Sequence, residues 1–443
     1  MPGVRLLPLD TGDLPERDRT QLLLSREGSA MFEGWSDRGL WRIILPWPDE
    51  LLSLPWAGIE GWTGALDRIT QRSDRPQDPY LDRIPFAGGW VGYVGYDAGA
   101  LARGAPLYEE RPPEPPLWFA RHERGIVVDP EGNSYLFCQE HQLERVRNEL
   151  SILMASKSTS IDSGAVPPAA GRMDESLDAA QYREAVDGIR QAIRRGDLYQ
   201  VNLTRRFLAP GRWNPFELYL SLTGDDVPRC SAFINGGEWQ IASASPEVFL
   251  RYDAASGIAE SRPIKGTIER TGQDRSDTEW LLSSRKDASE HLMIVDLIRN
   301  DFGIVAPAGL VKVASFRDVI KLKHVLHLES TVRAEGLEAR PFAEVFAAMF
   351  PSGSITGAPK RAVVQCIREI EPVPRGVYTG AIGFWDFRGR SEWSVAIRTA
   401  VITEDHARYH AGGGVVWDST PEAEERESIA KATAFLGHCG TTR

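Results

Sequence analysis

The chain has 443 residues, and its 51 Lys and Arg against 62 Asp and Glu give a formal net charge of −11. This balance argues against nucleic-acid binding, because affinity for phosphates depends on basic surfaces. A small anionic substrate stays open, since net charge does not describe a single cleft. No segment reaches the roughly 18 apolar residues of a membrane helix, and the amino terminus lacks a signal-peptide pattern. We therefore expect a cytoplasmic protein without membrane contacts.

The chain divides by composition into two structured regions. Strand-like patterns at 41–45 and 134–137 precede a charged helical stretch at 140–153. The glycines of 88–95 lack the spacing of a dinucleotide fingerprint and predict only a strand and a turn. A segment rich in Ser, Gly and Pro follows and predicts a flexible linker. The expected parts are an amino-terminal region at 1–154, a linker at 155–175 and a second domain at 176–437.

The second region mixes helices with strands. Asp178 and Gln181 have capping-box spacing, and the apolar period that follows predicts a helix over 179–195 that stops at Gly196. Residues 198–207 alternate, which predicts a strand whose polar face, with Gln200 and Asn202, meets solvent or a wet cleft. Further patterns predict a buried helix at 292–298, helices at 341–350, 359–370 and 421–436, and strands at 376–387, 392–402 and 408–416. Without regular βαβ alternation, this order favours an α+β fold.

The terminal helix carries a charged face. Glu424, Glu427 and Lys431 stand at positions i, i+3 and i+7. One interpretation is a solvated face with an ion pair between Glu427 and Lys431. The other is a ligand site, because the preceding strand contains three costly glycines that suggest a close approach to the backbone, namely Gly412, Gly413 and Gly414.

Glu290 also has two interpretations. Asp287 and Glu290 fit a capping box, so that Glu290 would only help to start a helix. Alternatively, Glu290 joins Glu424 and Glu427 around Mg²⁺, because a hard divalent ion needs carboxylates brought from separate elements. Sequence spacing does not show whether these three carboxylates converge.

Three further segments carry candidate chemistry. The glycine-rich loop at 351–360 opens a helix and is either a simple turn or a cradle for a carboxylate. Arg398 lies in an apolar run and, if buried, needs a substrate carboxylate or an internal salt bridge. Lys265, in the stretch 263–267, either points to water or is a desolvated amine that acts as nucleophile or base.

In their order along the chain, these segments resemble the chorismate-utilising enzymes, which include the component I proteins of anthranilate and aminodeoxychorismate synthases and the isochorismate and salicylate synthases. The resemblance runs from about residue 181 to 435 and rests on the motifs at 263–267, 290–301, 352–360, 412–419 and 424–431. It implies the anthranilate-synthase component I-like fold. In that fold, two interleaved α/β subdomains surround packed, largely antiparallel sheets, and the active site lies between them.

The resemblance also implies a set of site residues. Glu290, Glu424 and Glu427 would hold Mg²⁺ against a carboxylate of chorismate. Glu247 would protonate the departing C4 hydroxyl, and Lys265, kept neutral by burial, would add to C2 of the ring. The implied substrate-binding residues, including a cleft histidine of open role, are Gly266, Thr267, His327, Tyr378, Arg398, Gly412, Gly413, Gly414 and Lys431.

Two positions distinguish activities within the family. Gln200 stands where water-adding members have a lysine base, which disfavours isochorismate and salicylate synthesis. Lys265 stands where anthranilate synthases typically have Ala and aminodeoxychorismate synthases have Lys. The resemblance thus implies Mg²⁺-dependent amination of chorismate at C4 by ammonia, giving 4-amino-4-deoxychorismate for p-aminobenzoate and folate synthesis through a covalent lysine adduct.

The source of ammonia would be another chain. No Cys lies in a Gly-x-Cys-x-Gly elbow, so we expect a separate glutamine amidotransferase subunit, with free ammonia as a substitute. The alternatives are anthranilate synthase component I, a non-catalytic chorismate-binding subunit and a structural protein with solvated charged faces.

Overall fold

A computed structural model describes residues 4–9, 17–37, 39–70, 79–155 and 173–439. Most of the predicted linker at 155–175 lies outside these residues. The strands are β1 Val4–Leu9, β2 Ala30–Glu33, β3 Arg42–Leu45, β4 Glu50–Leu54, β5 Gly89–Val94, β6 Leu117–His122, β7 Gly125–Val128, β8 Ser134–Gln139, β9 Asp174–Glu175, β10 Gln200–Pro210, β11 Cys230–Asn235, β12 Trp239–Ser245, β13 Val248–Asp253, β14 Ile258–Arg262, β15 Ile264–Glu269, β16 Val311–Lys321, β17 Val325–Ala334, β18 Gly357–Ala358, β19 Ala381–Asp386, β20 Arg390–Val395, β21 Thr399–Thr403 and β22 His406–Val415. The helices are α1 Arg17–Leu23, α2 Trp62–Ile69, α3 Tyr96–Ala102, α4 Leu143–Ala155, α5 Ala179–Arg195, α6 Pro215–Thr223, α7 Asp274–Ser283, α8 Arg285–Gly303, α9 Phe342–Met349, α10 Lys360–Ile370 and α11 Pro421–His438.

The described strands form two antiparallel sheets, which confirms the α+β prediction. The first sheet has 12 strands in the order β1-β8-β7-β3-β2-β11-β12-β21-β22-β10-β18, with β9 beside β10. The second sheet has 10 strands in the order β15-β17-β14-β13-β20-β19-β5-β6-β4, with β16 beside β17. In each sheet, the strands from before the 155–175 segment form one block beside a block of strands from after it, so neither sheet is built from one region alone.

Aromatic side chains pack the two sheets against each other. Phe32 of β2 meets Phe384 of β19 edge to face, with ring centroids 6.3 Å apart. Tyr93 of β5 meets Trp239 of β12 in the same way at 5.6 Å. Such pairs contribute about 0.5–1.5 kcal/mol each beyond the area that they bury. The contacts hold the sheets as two layers, so side chains from both can line one cleft.

Helix α5 follows its sequence signals closely. The Asp178 side chain accepts the N–H of Gln181, and the Gln181 side chain accepts the N–H of Asp178. Gly196 ends the helix in the left-handed conformation with φ +82. The predicted bounds of 179–195 are therefore confirmed. None of the described helices is long and apolar enough to cross a membrane.

Several element predictions are wrong in detail. The single strand predicted over 392–402 is two strands, β20 in the second sheet and β21 in the first. The helix predicted as buried at 292–298 belongs to the longer α8, and Leu292 on it is 58% exposed. Tyr199, which the alternation over 198–207 predicts on the apolar face opposite Gln200 and Asn202, precedes β10 and is 62% exposed. Local patterns do not show which strand or helix will cover a given face.

Asp301, in the polar carboxyl-terminal end of α8, forms a buried ion pair. The Lys360 ammonium donates to the Asp301 carboxylate at 2.6 Å and to the Met349 carbonyl at 2.8 Å. Both charged side chains are less than a tenth exposed. The pair ties the end of α8 to the start of α10 and holds the glycine-rich loop between them.

Candidate active site

A cavity of about 940 Å³ opens where strands of both sheets approach α8 and α11. Its walls include β10 and β22 of the first sheet and β15 and β17 of the second. All the predicted site residues except Gly413 line it, namely Glu247, Lys265, Gly266, Thr267, Glu290, His327, Tyr378, Arg398, Gly412, Gly414, Glu424, Glu427 and Lys431. The structure therefore brings together residues that lie as far apart in sequence as 247 and 431.

Lys265 projects into this cavity from β15. Its side chain is 20% exposed, and Nζ lies 3.5 Å from Oε2 of Glu290 on α8. The two groups are within ion-pair distance, and the expectation that burial keeps this amine neutral stays a prediction. The amine has to lose a proton before it can attack an electrophile.

Glu247 occupies a drier part of the same cavity. It lies between β12 and β13 and is 5% exposed. Burial raises its pKa to about 7, although a hydrogen bond from Ser354 and the nearby charge of Lys265 oppose the shift. A carboxyl group with this pKa is substantially protonated near neutral pH and can therefore donate a proton to a leaving group.

The glycines of β22 make room for groups of the protein itself. A Cβ on Gly412 would lie 1.9 Å from the carbonyl oxygen of Leu203 on β10. A Cβ on Gly413 would lie 2.8 Å from Oε2 of Glu424 and 3.3 Å from Oε1 of Glu427. Strand pairing and side chains of α11 therefore require these glycines, and the close approach of a ligand stays a prediction.

The three predicted metal ligands form two groups. Glu424 and Glu427 converge beside Gly413, whereas Glu290 contacts Lys265. Glu424 also accepts the Ser419 hydroxyl at 2.6 Å, and Glu427 pairs with Lys431 at 2.6 Å, as the ion-pair interpretation predicts. Among the described residues, no three or more His, Cys, Asp or Glu stand in metal-holding geometry. The donor set still fits Mg²⁺, which binds through one or two carboxylates with water and substrate oxygens as its other ligands.

Arg398 stands at the turn between β20 and β21. Its backbone has φ +50, an uncommon conformation for arginine, and its side chain is exposed to the cavity. It makes no ion pair with any residue in the described ranges. The internal salt bridge is therefore absent there, and the guanidinium is available to a carboxylate in the cavity.

His327 and Thr267 form a pair across β15 and β17. The Thr267 hydroxyl lies 2.6 Å from Nδ1 of His327, and Nε2 is buried with no hydrogen-bond partner within the described part of the chain. Burial, aided by the charge of Arg398, lowers the pKa of His327 to about 4. The imidazole is thus neutral at physiological pH, and its second nitrogen can bond a substrate.

The sequence interpretation of α8 is wrong at its start. Ser284, not Asp287, caps the helix, and the Ser284 hydroxyl accepts the N–H of Asp287 at 3.2 Å. Glu290 consequently lies in the second turn of α8 and faces the cavity. The loop at 351–360 forms a turn and also part of the cavity wall, because Ser354 and Ile355 line the cavity.

Several lining residues were not among the predicted site residues. Asn202 lines the cavity from the polar face of β10, as the alternation allowed. His410 stacks on Tyr378 with ring centroids 5.2 Å apart. Burial holds the pKa of His410 well below its usual range. The sequence around His410 carries no signal beyond a strand pattern, so only the cross-strand packing reveals it.

The side-chain amide of Gln200 is fully buried. Neither its Oε1 nor its Nε2 has a hydrogen-bond partner among the residues described. Nε2 would lie 2.5 Å from a Cβ on Gly414, and Nζ of Lys265 would lie 3.4 Å from the same point. This position therefore presents a neutral amide, not an ionisable base, close to the cavity.

Comparison with known proteins agrees with this geometry. The model of a chorismate binding enzyme family matches residues 60–437. Aminodeoxychorismate synthase component 1 of Escherichia coli (strain K12) is 33% identical over 376 residues, which cover 84% of this chain and 81% of that protein. Anthranilate synthase component 1 of Cereibacter sphaeroides is 34% identical over 389 residues, which cover 84% and 76% respectively.

Solved structures show the same fold. Anthranilate synthase component I from Streptococcus pneumoniae TIGR4 superimposes with a TM-score of 0.74 and 26% identity, over 99% of this chain and 92% of that one. The menaquinone-specific isochorismate synthase of Escherichia coli superimposes with a TM-score of 0.72 at 18% identity, over 100% and 95%. The match over most of the chain, together with the shared fold, shows that this protein belongs to the chorismate binding enzyme family.

Proposed function

We propose that this protein aminates chorismate at C4 with ammonia to give 4-amino-4-deoxychorismate. The observation that carries the proposal is that Lys265 and Glu247 face one cavity from different elements. Glu247 is buried with a pKa of about 7, as a general acid requires, and Lys265 supplies an amine. An anthranilate synthase, which typically has Ala in place of Lys265, would not need that amine.

The reaction consists of two displacements. In the first, the unprotonated Lys265 amine forms a bond to C2, the ring double bonds shift, and the C4–O bond breaks. The hydroxyl leaves as water with the proton of Glu247. In the second, ammonia bonds to C4, the double bonds return, and the bond between C2 and Lys265 breaks, which restores the amine, while the new C4 ammonium group returns a proton to the Glu247 carboxylate. A covalent intermediate of this kind divides one difficult substitution into two easier ones.

Cationic and neutral donors of the cavity would hold the substrate. Arg398, with no ion pair among the described residues, would bind one carboxylate of chorismate through its planar fork. Tyr378 and His327 would bond the ring substituents. Glu290, Glu424 and Glu427 would hold Mg²⁺, which when bound would screen the negative charge of the substrate carboxylates.

Ammonia would come from a separate glutamine amidotransferase subunit, as is general for component I proteins of this family. The four cysteines do not supply a glutaminase nucleophile. Cys138, Cys230 and Cys439 are buried, and burial raises the pKa of the partly buried Cys366 to about 11. A thiol with so high a pKa carries little thiolate at neutral pH.

Product analysis tests the proposal. Purified protein with chorismate, Mg²⁺ and a high ammonium concentration should yield an aminated product that becomes p-aminobenzoate only after addition of a lyase. The Lys265→Ala variant should lose this activity and keep chorismate binding. Anthranilate with released pyruvate would instead identify an anthranilate synthase, which the similar identity of both kinds of relatives keeps as the second candidate.

A further inference from the structure

Lys265 lies at a break in its own strand pairing. Ile264 of β15 pairs with Glu329 of β17, but the next paired residue, Thr267, faces His327. Between these two pairs the chain advances by three residues on β15 but by only two on β17, which is a β-bulge. Gly266 adopts φ +82 within this bulge. A bulge of this kind re-aims a side chain and removes ladder hydrogen bonds. The direction of the lysine therefore depends on other contacts to its backbone.

His291 supplies such a contact. Its side chain is fully buried, and Nδ1 lies 3.4 Å from the carbonyl oxygen of Lys265. On its other side, Nε2 lies 2.6 Å from the Ser330 hydroxyl of β17. The ring of Phe316 covers the imidazole edge to face, with centroids 5.8 Å apart. His291 thus joins α8 to β15 and β17 beneath the cavity wall.

The hydrogen bonds define the tautomer of His291. The Lys265 carbonyl can only accept a proton, so in the neutral imidazole Nε2 is the acceptor for the Ser330 hydroxyl, whose oxygen in turn accepts the N–H of Arg317 at 2.9 Å. Nδ1 then carries the ring proton and donates it to the Lys265 carbonyl. This side chain thus gives the Lys265 carbonyl a donor at the point where the register of the ladder shifts.

We propose that His291 is a positioning residue that aims the Lys265 amine. Consecutive residues of α8 then hold the two ends of Lys265, Glu290 at the amine and His291 at the carbonyl. His291 is not among the described residues that line the cavity, so it would act through Lys265 and not on the substrate directly. The inference rests on the proposed function, in which the Lys265 amine attacks chorismate. A misplacement of about 1 Å can reduce a rate by about 10²-fold.

The test compares His291→Leu, which removes the donor, with His291→Asn, whose amide can replace Nδ1. A matched control is His122→Leu, because His122 is also fully buried and bonds a backbone carbonyl, that of Gly28, at 3.0 Å, yet does not line the cavity. Each variant is measured for kcat and KM in amination and for chorismate affinity by calorimetry. A third readout needs no substrate: the rate of reductive methylation of Lys265 by formaldehyde and cyanoborohydride, measured by peptide mass analysis.

We expect His291→Leu to lower kcat about 10- to 100-fold with little change in KM, and to change the methylation rate of Lys265 several-fold. His291→Asn should recover most of both, and His122→Leu should match the wild type. The inference is overturned if His291→Leu leaves both quantities within twofold of the wild type, or if His291→Asn is as impaired as His291→Leu. If His291→Leu does not fold, Ser330→Ala, which removes the partner of Nε2, takes its place. A wild-type protein without amination would contradict the proposed function, whereas the methylation rates would still decide the role of His291.

Discussion

The Nζ atom of Lys265 lies 3.5 Å from Oε2 of Glu290, so the proposed nucleophile and one proposed metal ligand are partners in this structure. Their side chains are 20% and 14% exposed, which makes the attraction stronger than that of a pair on the open surface. A Mg²⁺ ion held by Glu290 would therefore compete with the ammonium of Lys265 for the same carboxylate. Such competition would link metal binding to the availability of the amine.

Removal of the Lys265 charge should strengthen Mg²⁺ binding. The Lys265→Met variant removes the ammonium that faces Glu290, and we expect Mg²⁺ to bind about 1.5- to 5-fold more tightly, since such a pair contributes about 0.2–1 kcal/mol. Titration calorimetry with MgCl₂ in the absence of chorismate measures this directly. Lys431→Met is the companion variant for Glu427. Unchanged affinity in both variants would contradict metal binding by these carboxylates.

Proton donation from Glu247 to the leaving C4 hydroxyl should be lost at high pH. Burial raises the pKa of Glu247 to about 7, so its donated proton is lost as the pH rises through that value. We expect the ratio of the wild-type rate of C4 hydroxyl loss to the Glu247→Gln rate, about 10²- to 10⁴-fold below this pKa, to fall about tenfold per pH unit above it. The ratio isolates Glu247, because the proton that the Lys265 amine must lose affects both proteins alike. Rapid-quench measurement of the lysine adduct without ammonia avoids the separate titration of ammonium.

Ionisation of the buried Glu247 should lower the free energy of unfolding at alkaline pH. The folded pKa of about 7 exceeds the ordinary value of 4.5, so the folded state keeps its proton over a range in which the unfolded state has lost it. Wild-type stability therefore declines between about pH 4.5 and 7, and Glu247→Gln should be the more stable protein at pH 8 by as much as about 3 kcal/mol. Urea unfolding at pH 5 and pH 8 checks this. An equal difference at both pH values would show that ionisation of Glu247 is not the cause.

Loss of the Arg398 guanidinium should impair substrate binding more than chemistry. Arg398→Met removes a cation that has no ion-pair partner in the described ranges, so the change does not deprive any carboxylate there of its counter-charge. We expect KM for chorismate to rise about 10- to 100-fold, as loss of a charged hydrogen bond predicts. Arg398→Lys should recover only part, because an ammonium lacks the bidentate fork. Steady-state kinetics with Arg390→Met as a surface control measures these effects.

The buried pair of Lys360 and Asp301 should matter for stability. Lys360→Met leaves the Asp301 carboxylate buried without its ammonium, which typically costs about 3–5 kcal/mol. Replacing both residues by apolar ones should restore much of this loss. The exposed pair of Arg299 and Asp296 provides the contrast, with less than about 1 kcal/mol for Arg299→Ala. Urea denaturation of the four proteins distinguishes a buried from a surface contribution.

Local features of the sequence determined much of this protein. The capping box at Asp178 and Gln181, with Gly196 after it, defines α5 because those hydrogen bonds form within one turn of the helix. The ordered motifs that contain Lys265, Glu290 and Lys431 were sufficient to indicate the family and the residues of its cleft. These signals can be recognised without knowledge of the fold, since they depend on residue type and short-range spacing.

Only the tertiary structure decided how those residues meet. One apolar run at 392–402 serves two different sheets, and this division leaves Arg398 at the turn that faces the cavity. Lys265 contacts Glu290, and Glu424 and Glu427 converge beside Gly413, because α8, α11, β15 and β22 pack around one space. Distances between such elements depend on long-range strand pairing and on burial. A pattern of residues that are neighbours in the sequence gives no information on long-range strand pairing or on burial.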